Sequence, residues 1–155
     1  MRRVFITAGI VLVLDQISKL LIVQVLNLRE RGEIDALAPL LNLRMAWNRG
    51  INFGLMAGDS DVMRWVLIAV ALAITGWVIW WMRAETRAIA HIAGGFLVGG
   101  AIGNVIDRIV YGAVADFLNM SCCGFENPYS FNVADISIFI GAIGLVLFTG
   151  EKKTP

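Results

Sequence analysis

Four stretches of this chain are apolar over the length that a lipid bilayer demands of a helix, and they constrain everything else about it. They cover about residues 4–26, 65–82, 88–106 and 133–148. A hydrocarbon core needs about 20 consecutive apolar residues to be crossed by a helix. Composition shows that these windows cannot be core segments of a soluble domain. Of 155 residues, 58% are hydrophobic and only 16% charged, where a soluble domain carries about 25% charge. A small domain exposes too much surface to hide that excess in one core, so the excess faces lipid. The net charge is +1, and no basic stripe with interleaved aromatics occurs, which argues against a nucleic-acid partner. The expectation is one polytopic membrane domain over residues 1–155, all-α, with four transmembrane helices.

The beginning, Arg2-Arg3 followed by Val4-Phe5-Ile6, imitates a secretory signal peptide, and a cleavage-like Ala36-Leu37-Ala38 follows. The apolar run nevertheless continues to about Leu26, longer than a signal core, and Pro39 directly follows the Ala-x-Ala. A retained first span is the expectation. Arg2 and Arg3 precede that span, Arg83 and Arg87 separate spans two and three, and Lys152 and Lys153 follow span four. An even number of spans puts all three groups on one side, which the positive-inside rule makes cytoplasmic, with both termini. Arg29, Arg31, Arg44, Arg49 and Arg64 fall in the first outer loop, which is longer and carries balancing acids. Trp77, Trp80 and Trp81 collect near the inner end of span two, as an interfacial belt does. Residues 27–64 and 107–132 remain outside. The partial alternation over residues 40–47 predicts strands on the membrane surface, a small β-rich segment between helices one and two. Gly95, Gly99 and Gly103 share one face of span three, the pattern that lets helices approach closely.

Ionisable groups in or beside spans are costly and therefore informative. Asp15 and Lys19 lie four apart in span one, on one face, with Asp15 expected near mid-membrane. Asp107 and Arg108 end span three, and Asp135 opens span four. Asp116 and Asp135 stand in like settings, Val114-Ala115-Asp116-Phe117 and Val133-Ala134-Asp135-Ile136. Were they juxtaposed, one pKa would rise, because two like charges cannot both ionise at close range. One carboxylate could then take a proton from water while the other polarises a scissile carbonyl. Spacing alone equally allows Asp135 to be only a cap on span four and Asp116 to be paired with Arg108.

Other chemistries fit less well. His91 is the only histidine and lies far in sequence from both acids, against a His-dependent triad or zinc site. Cys122 and Cys123 are adjacent, a poor arrangement for a metal and a strained one for a disulfide. No phosphate-binding loop is present. Asn48, Gly50, Asn52, Asn104 and Asn132 sit beside membrane segments, where amides can hold a substrate backbone or neighbouring loops.

Read together, these residues resemble the lipoprotein signal peptidase family, also called signal peptidase II. Asp15-Gln16-Ile17-Ser18-Lys19 resembles its first block, and Trp47-Asn48-Arg49-Gly50-Ile51-Asn52-Phe53-Gly54 its Asn-x-Gly-x-x-Phe block. Residues 99–108 resemble the third, and residues 114–117 and 131–135 resemble the two aspartate blocks. The resemblance implies cleavage of diacylglyceryl-modified prolipoproteins just before the lipidated cysteine, at the outer face of the bacterial inner membrane, without a cofactor. It implies Asp116 and Asp135 as the catalytic pair. It also implies that Asn48, Gly50, Asn104, Arg108 and Asn132 contact substrate or antibiotics such as globomycin, and that Asp15, Lys19 and Asp107 give structural support. Part of residues 117–131 would form a mobile cover. No metal and a monomer embedded in lipid are the further expectations. Asn52 departs from the family, where many members carry a small residue, and Cys122-Cys123 have no counterpart. A small proton-coupled transporter or channel subunit, suggested by Asp15, Lys19 and Asp107 at membrane depth, is the alternative. A non-enzymatic assembly subunit, suggested by the glycine face, is a third reading.

Overall fold

The first apolar window folds as α1, Arg2–Lys19, which continues into a π-helical stretch, Leu20–Val25. A one-turn helix α2 (Leu28–Arg31) and strands β1 (Glu33–Leu37) and β2 (Leu41–Asn48) follow. Then come α3 (Asp61–Met82), α4 (Ala88–Tyr111), β3 (Val114–Asn119) and α5 (Val133–Phe148). This computed structural model describes residues 1–37, 40–50, 61–121 and 127–149. Pro39, Asn52, Cys122, Cys123, Lys152 and Lys153, singled out above, lie outside the described residues.

Among the described residues, three helical segments, Arg2–Val25, α3 and α4, are long and apolar enough to cross a membrane, and α5 is a shorter apolar helix of 16 residues. Their free faces suit lipid: Phe5, Ile10 and Val13 on α1 and Trp65, Val70 and Trp77 on α3 are each about half exposed. An apolar surface of that extent marks an interaction with something other than water. Two helix ends differ from the sequence expectation. α3 starts at Asp61 rather than 65, where an acid in the first turn complements the helix dipole. α4 runs on to Tyr111 rather than 106, because Asp107 is buried inward and does not stop the helix. Gly112, at φ 74°, then ends α4 in the left-handed conformation and turns the chain into β3.

α4 is the central helix: 61% of its apolar window is buried, against 22% for the first segment and 17% for α3. Glycines set how near its neighbours come. A Cβ on Gly95 would stand 2.7 Å from the Val4 carbonyl oxygen, and one on Gly99 2.6 Å from that of Ala8. The Gly95–Gly99–Gly103 face is therefore the seam with α1. A second seam, with α5, was not foreseen. There a Cβ on Gly100 would collide with the Ala134 carbonyl, and one on Gly141 would lie 2.5 Å from the Leu97 nitrogen. Gly99→Ala is expected to cost about 1–3 kcal/mol, because its nearest neighbours, the Ala8 backbone and the Val11 Cβ, cannot swing away. Gly76→Ala, which meets only open space, is the control. Thermal scans in detergent should lower the melting point for the first and spare the second; equal behaviour would mean that the seam is not tight.

The sheet has the order β1-β2-β3, antiparallel throughout. The strand expected near residues 40–47 is β2. The expectation that the β-rich segment lies wholly between the first two spans needs correction, since β3 comes from beyond α4 and pairs Asp116 with Ala46 and Ala115 with Trp47. Five of the six β3 residues are buried. A strand covered on both faces loses the polar–apolar alternation that would reveal it. Residues 117–119, expected in a mobile cover, belong to this strand. Phe117 and Leu118 both donate their N–H to the Phe131 carbonyl, which ties β3 to the entry of α5.

Two apolar clusters fill the interior. One gathers Val4, Val78, Met82, Leu97 and Leu145. The other gathers Val23, Leu28, Leu43, Ala115 and Phe117 beneath the sheet. Along α1 the residues between them are Asp15 and Lys19, both buried. Asp15 is level with the start of α5, whose Ala134 N–H donates to it at 3.0 Å. That ties α1 to the N-terminal end of α5.

Candidate active site

α5 begins with an Asn rather than an Asp in the capping role. The Asn132 side-chain oxygen accepts the Asp135 N–H at 2.8 Å, satisfying one of the donors every helix start leaves unpaired. This disposes of Asp135 as the cap and leaves its carboxyl for other work. The same Asn132 amide donates to Asp116 Oδ1 at 2.6 Å and reaches Asn104 Oδ1 at 3.3 Å. Asn104, on α4, donates to Asp135 Oδ1 at 2.8 Å. Asp116 and Asp135 are thus brought together through two asparagines, with Asp116 on β3 and Asp135 in the first turn of α5.

Asn48 completes the cradle, donating to Asp116 Oδ2 at 3.1 Å while its oxygen accepts the Gly50 N–H at 3.1 Å. Arg108 donates to the Gly50 carbonyl at 3.1 Å and to that of Asn104 at 3.3 Å, pinning the end of β2 to α4. All five residues expected to contact substrate are therefore here. Three of them, Asn48, Asn104 and Asn132, bond directly to the carboxyl groups. That role was not foreseen, because an asparagine beside a span gives no sequence sign of which way its amide points.

Asp116 is 2% exposed. Burial above all, and then the negative charge of Asp135, push its pKa up to about 7. The hydrogen bonds from Asn48 and Asn132 and the charge of Lys19 oppose that rise without cancelling it. Near neutral pH the Asp116 carboxyl can accordingly hold a proton, as the acid of such a pair must.

Behind this pair lies a second polar group. Lys19 Nζ is 2.7 Å from Asp15 Oδ2 and 2.8 Å from Asp107 Oδ2. Gln16, which carried no role in the sequence reading, donates to Asp15 at 3.1 Å and to Asp107 at 3.2 Å. The expected neutralisation of Asp15 by Lys19 is present, with Asp107 as a third member. His91 sits toward the other end of α4, its Nε2 3.1 Å from the Met82 carbonyl oxygen. Among the described residues, no group of three or more His, Cys, Asp or Glu side chains is placed to hold a metal ion.

Helices of bilayer length gathered around a buried Asp116 and a partly buried Asp135 define the class as a membrane protein with a candidate acid–base site. Its family follows from comparison with known proteins. The model of the family described as "Signal peptidase (SPase) II" matches residues 7–150. The lipoprotein signal peptidase of Methylobacterium sp. (strain 4-46) is 41% identical over 144 residues, covering 92% of this chain and 86% of that protein. That of Nitrobacter hamburgensis is 39% identical over 159 residues, covering 100% and 95%. A solved structure described as a bacterial membrane enzyme, determined in meso at 2.3 Å, superposes with a TM-score of 0.80 at 23% identity, covering 100% of this chain and 95% of that one; at that identity it speaks for the fold. The chain belongs to the signal peptidase II family, and is a membrane peptidase.

Proposed function

We propose that this protein is an aspartic endopeptidase that removes signal peptides from diacylglyceryl-modified prolipoproteins, cutting before the lipidated cysteine. The observation that carries the mechanism is the pairing of Asp116 with Asp135 through Asn132 and Asn104. Asp116, buried and with its pKa raised to about 7, keeps the shared proton and polarises the scissile carbonyl. Asp135, ionised, takes a proton from the attacking water. The tetrahedral intermediate then collapses with cleavage of its C–N bond, as Asp135 returns the proton taken from water to the leaving amine nitrogen and the dyad is left with its one shared proton. Asn48 and Asn132 hold the Asp116 carboxyl in position, while Gly50, Asn104 and Arg108 line the approach for the peptide backbone. No cofactor is called upon.

The proposed topology has four spans, with α5 as the fourth. Its 16 residues rise about 24 Å, short of a full hydrocarbon core, which suits a helix whose first turn carries the reacting group at the lipid–water boundary. Both termini lie in the cytoplasm and the dyad faces outward, as the arginines at residues 2, 3, 83 and 87 support. A lipidated cysteine stays in the bilayer, so its peptidase must work at this level as a monomer surrounded by lipid. The transporter alternative has less support, because Asp15 and Asp107 are both ion-paired to Lys19.

Incubating purified protein with a diacylated precursor, with and without globomycin, tests the reading. Cleavage before the modified cysteine, blocked by the antibiotic, is expected. Failure to cut, or equal cutting of an unlipidated precursor, would refute it. The pH dependence follows from Asp116. A working dyad carries one proton, which is lost as pH rises through about 7, so kcat/KM should fall on the alkaline side with a limb near that value. A rate flat from pH 6 to 9 would contradict the assignment.

A further inference from the structure

We propose that Asp15, Lys19 and Asp107 form one positioning unit for the reaction, holding the backbone one residue before each dyad aspartate and so setting the separation of the two carboxyl groups. The inference rests on Asp116 and Asp135 being the catalytic pair.

Two hydrogen bonds carry it. Asp107 Oδ2 accepts the Ala115 N–H at 3.1 Å, and Asp15 Oδ1 accepts the Ala134 N–H at 3.0 Å. The two donors occupy the same place in the repeated Val-Ala-Asp sequence, each immediately before a dyad residue. Neither N–H has an easy alternative. Ala115 lies in an edge strand of the described sheet, and Ala134 lies in the first turn of α5, where backbone donors have no helical acceptor.

Lys19 couples the two anchors. Its ammonium lies between the two carboxylates, 2.7 and 2.8 Å away, and Gln16 spans the same pair. Asp15 and Asp107 are both 0% exposed, so neither can turn toward water. The backbone before Asp116 and the backbone before Asp135 are thus fixed to a single charged unit. Stability does not account for such a group, because a buried ion pair is often matched by apolar residues of similar volume. Geometry does. Displacing reacting groups by about 1 Å can cost about 100-fold in rate, and charge-assisted hydrogen bonds are about twice as strong as neutral ones. The fold also leaves space for the unit, since a Cβ on Gly103 would lie 2.6 Å from Asp15 Oδ2.

The test compares Asp15→Ala, Asp15→Asn, Asp107→Ala and Asp107→Asn in the full-length protein, using the folded, monodisperse fraction and a diacylated precursor peptide. The alanine variants should lose about 100-fold in kcat while KM stays within about threefold, as misaligned chemistry requires. The asparagine variants keep an acceptor oxygen for the N–H and should recover at least about tenfold of that loss. Alanine variants with wild-type kcat per folded molecule, or a loss confined to KM, would overturn the proposal. Should the alanine variants not fold, amide hydrogen exchange on the wild type decides: Ala115 and Ala134 must both be protected, and free exchange at either overturns it. A wild-type protein that leaves the precursor uncut would sink the peptidase reading instead, while the exchange experiment still judges the two anchors.

Discussion

Asp116→Asn and Asp135→Asn, if the proposed dyad is the catalytic pair, should each lower kcat on diacylated precursor by about 10²–10⁴-fold, while both variants insert and fold. The reason is that an amide can neither take a proton from water nor give one to a carbonyl oxygen. The effects on folding differ slightly between the two sites. At position 135 the new amide oxygen can still accept from Asn104, and the capped N–H is unchanged. At position 116 both carboxyl oxygens accept from amides, Asn132 on one side and Asn48 on the other. Asparagine there brings two NH₂ groups face to face, at a cost of about 1 kcal/mol. The double variant should be no slower than either single one, because groups that act as a unit do not contribute additively. Precursor processing followed by mass spectrometry, beside thermal scans of the same samples, gives both readings. Wild-type turnover in either single variant removes that residue from the dyad.

Lys19→Met should destabilise the protein by about 3–5 kcal/mol, the loss expected when one partner of a buried pair is removed and its counter-charges stay behind. Methionine nearly matches the volume of the lysine stem, so the loss is electrostatic and not a cavity effect. Two carboxylates, Asp15 and Asp107, would face each other with only Gln16 between them. For a chain of this size the melting temperature should drop by about 6–20 °C. A drop of under about 2 °C would show that the pair is solvated and its charge dispensable.

Much of this arrangement could be read from the amino-acid order, and the failures have physical causes. Apolar length located all the helices that matter, and α5 matches its expected bounds, Val133–Phe148, because Asn132 before it and the end of the apolar run after it are both local signals. The repeated Val-Ala-Asp marked the two acids, since apolar neighbours around a carboxyl are visible without a structure. The spacing of Asp15 and Lys19 gave their pairing for the same reason. What sequence could not supply was tertiary partnership. β3 hides because it is buried on both faces, and Gly100 and Gly141 are indistinguishable from other glycines until α5 is laid against α4. The π-helical stretch after Lys19 carries no residue that forces it. The asparagines were expected to meet a ligand, and only folding reveals that three of them bond to the carboxyl groups themselves.

The double duty of Asn132 bears on how the protein could escape an inhibitor lodged beside the dyad. This one side chain caps α5, bonds to Asp116 and reaches Asn104, while Asn48 spans Asp116 and Gly50. A substitution at either position that excluded a drug would at the same moment release a carboxyl or uncap a helix. Substitution of either asparagine is therefore expected to lower activity or stability together with any loss of ligand binding.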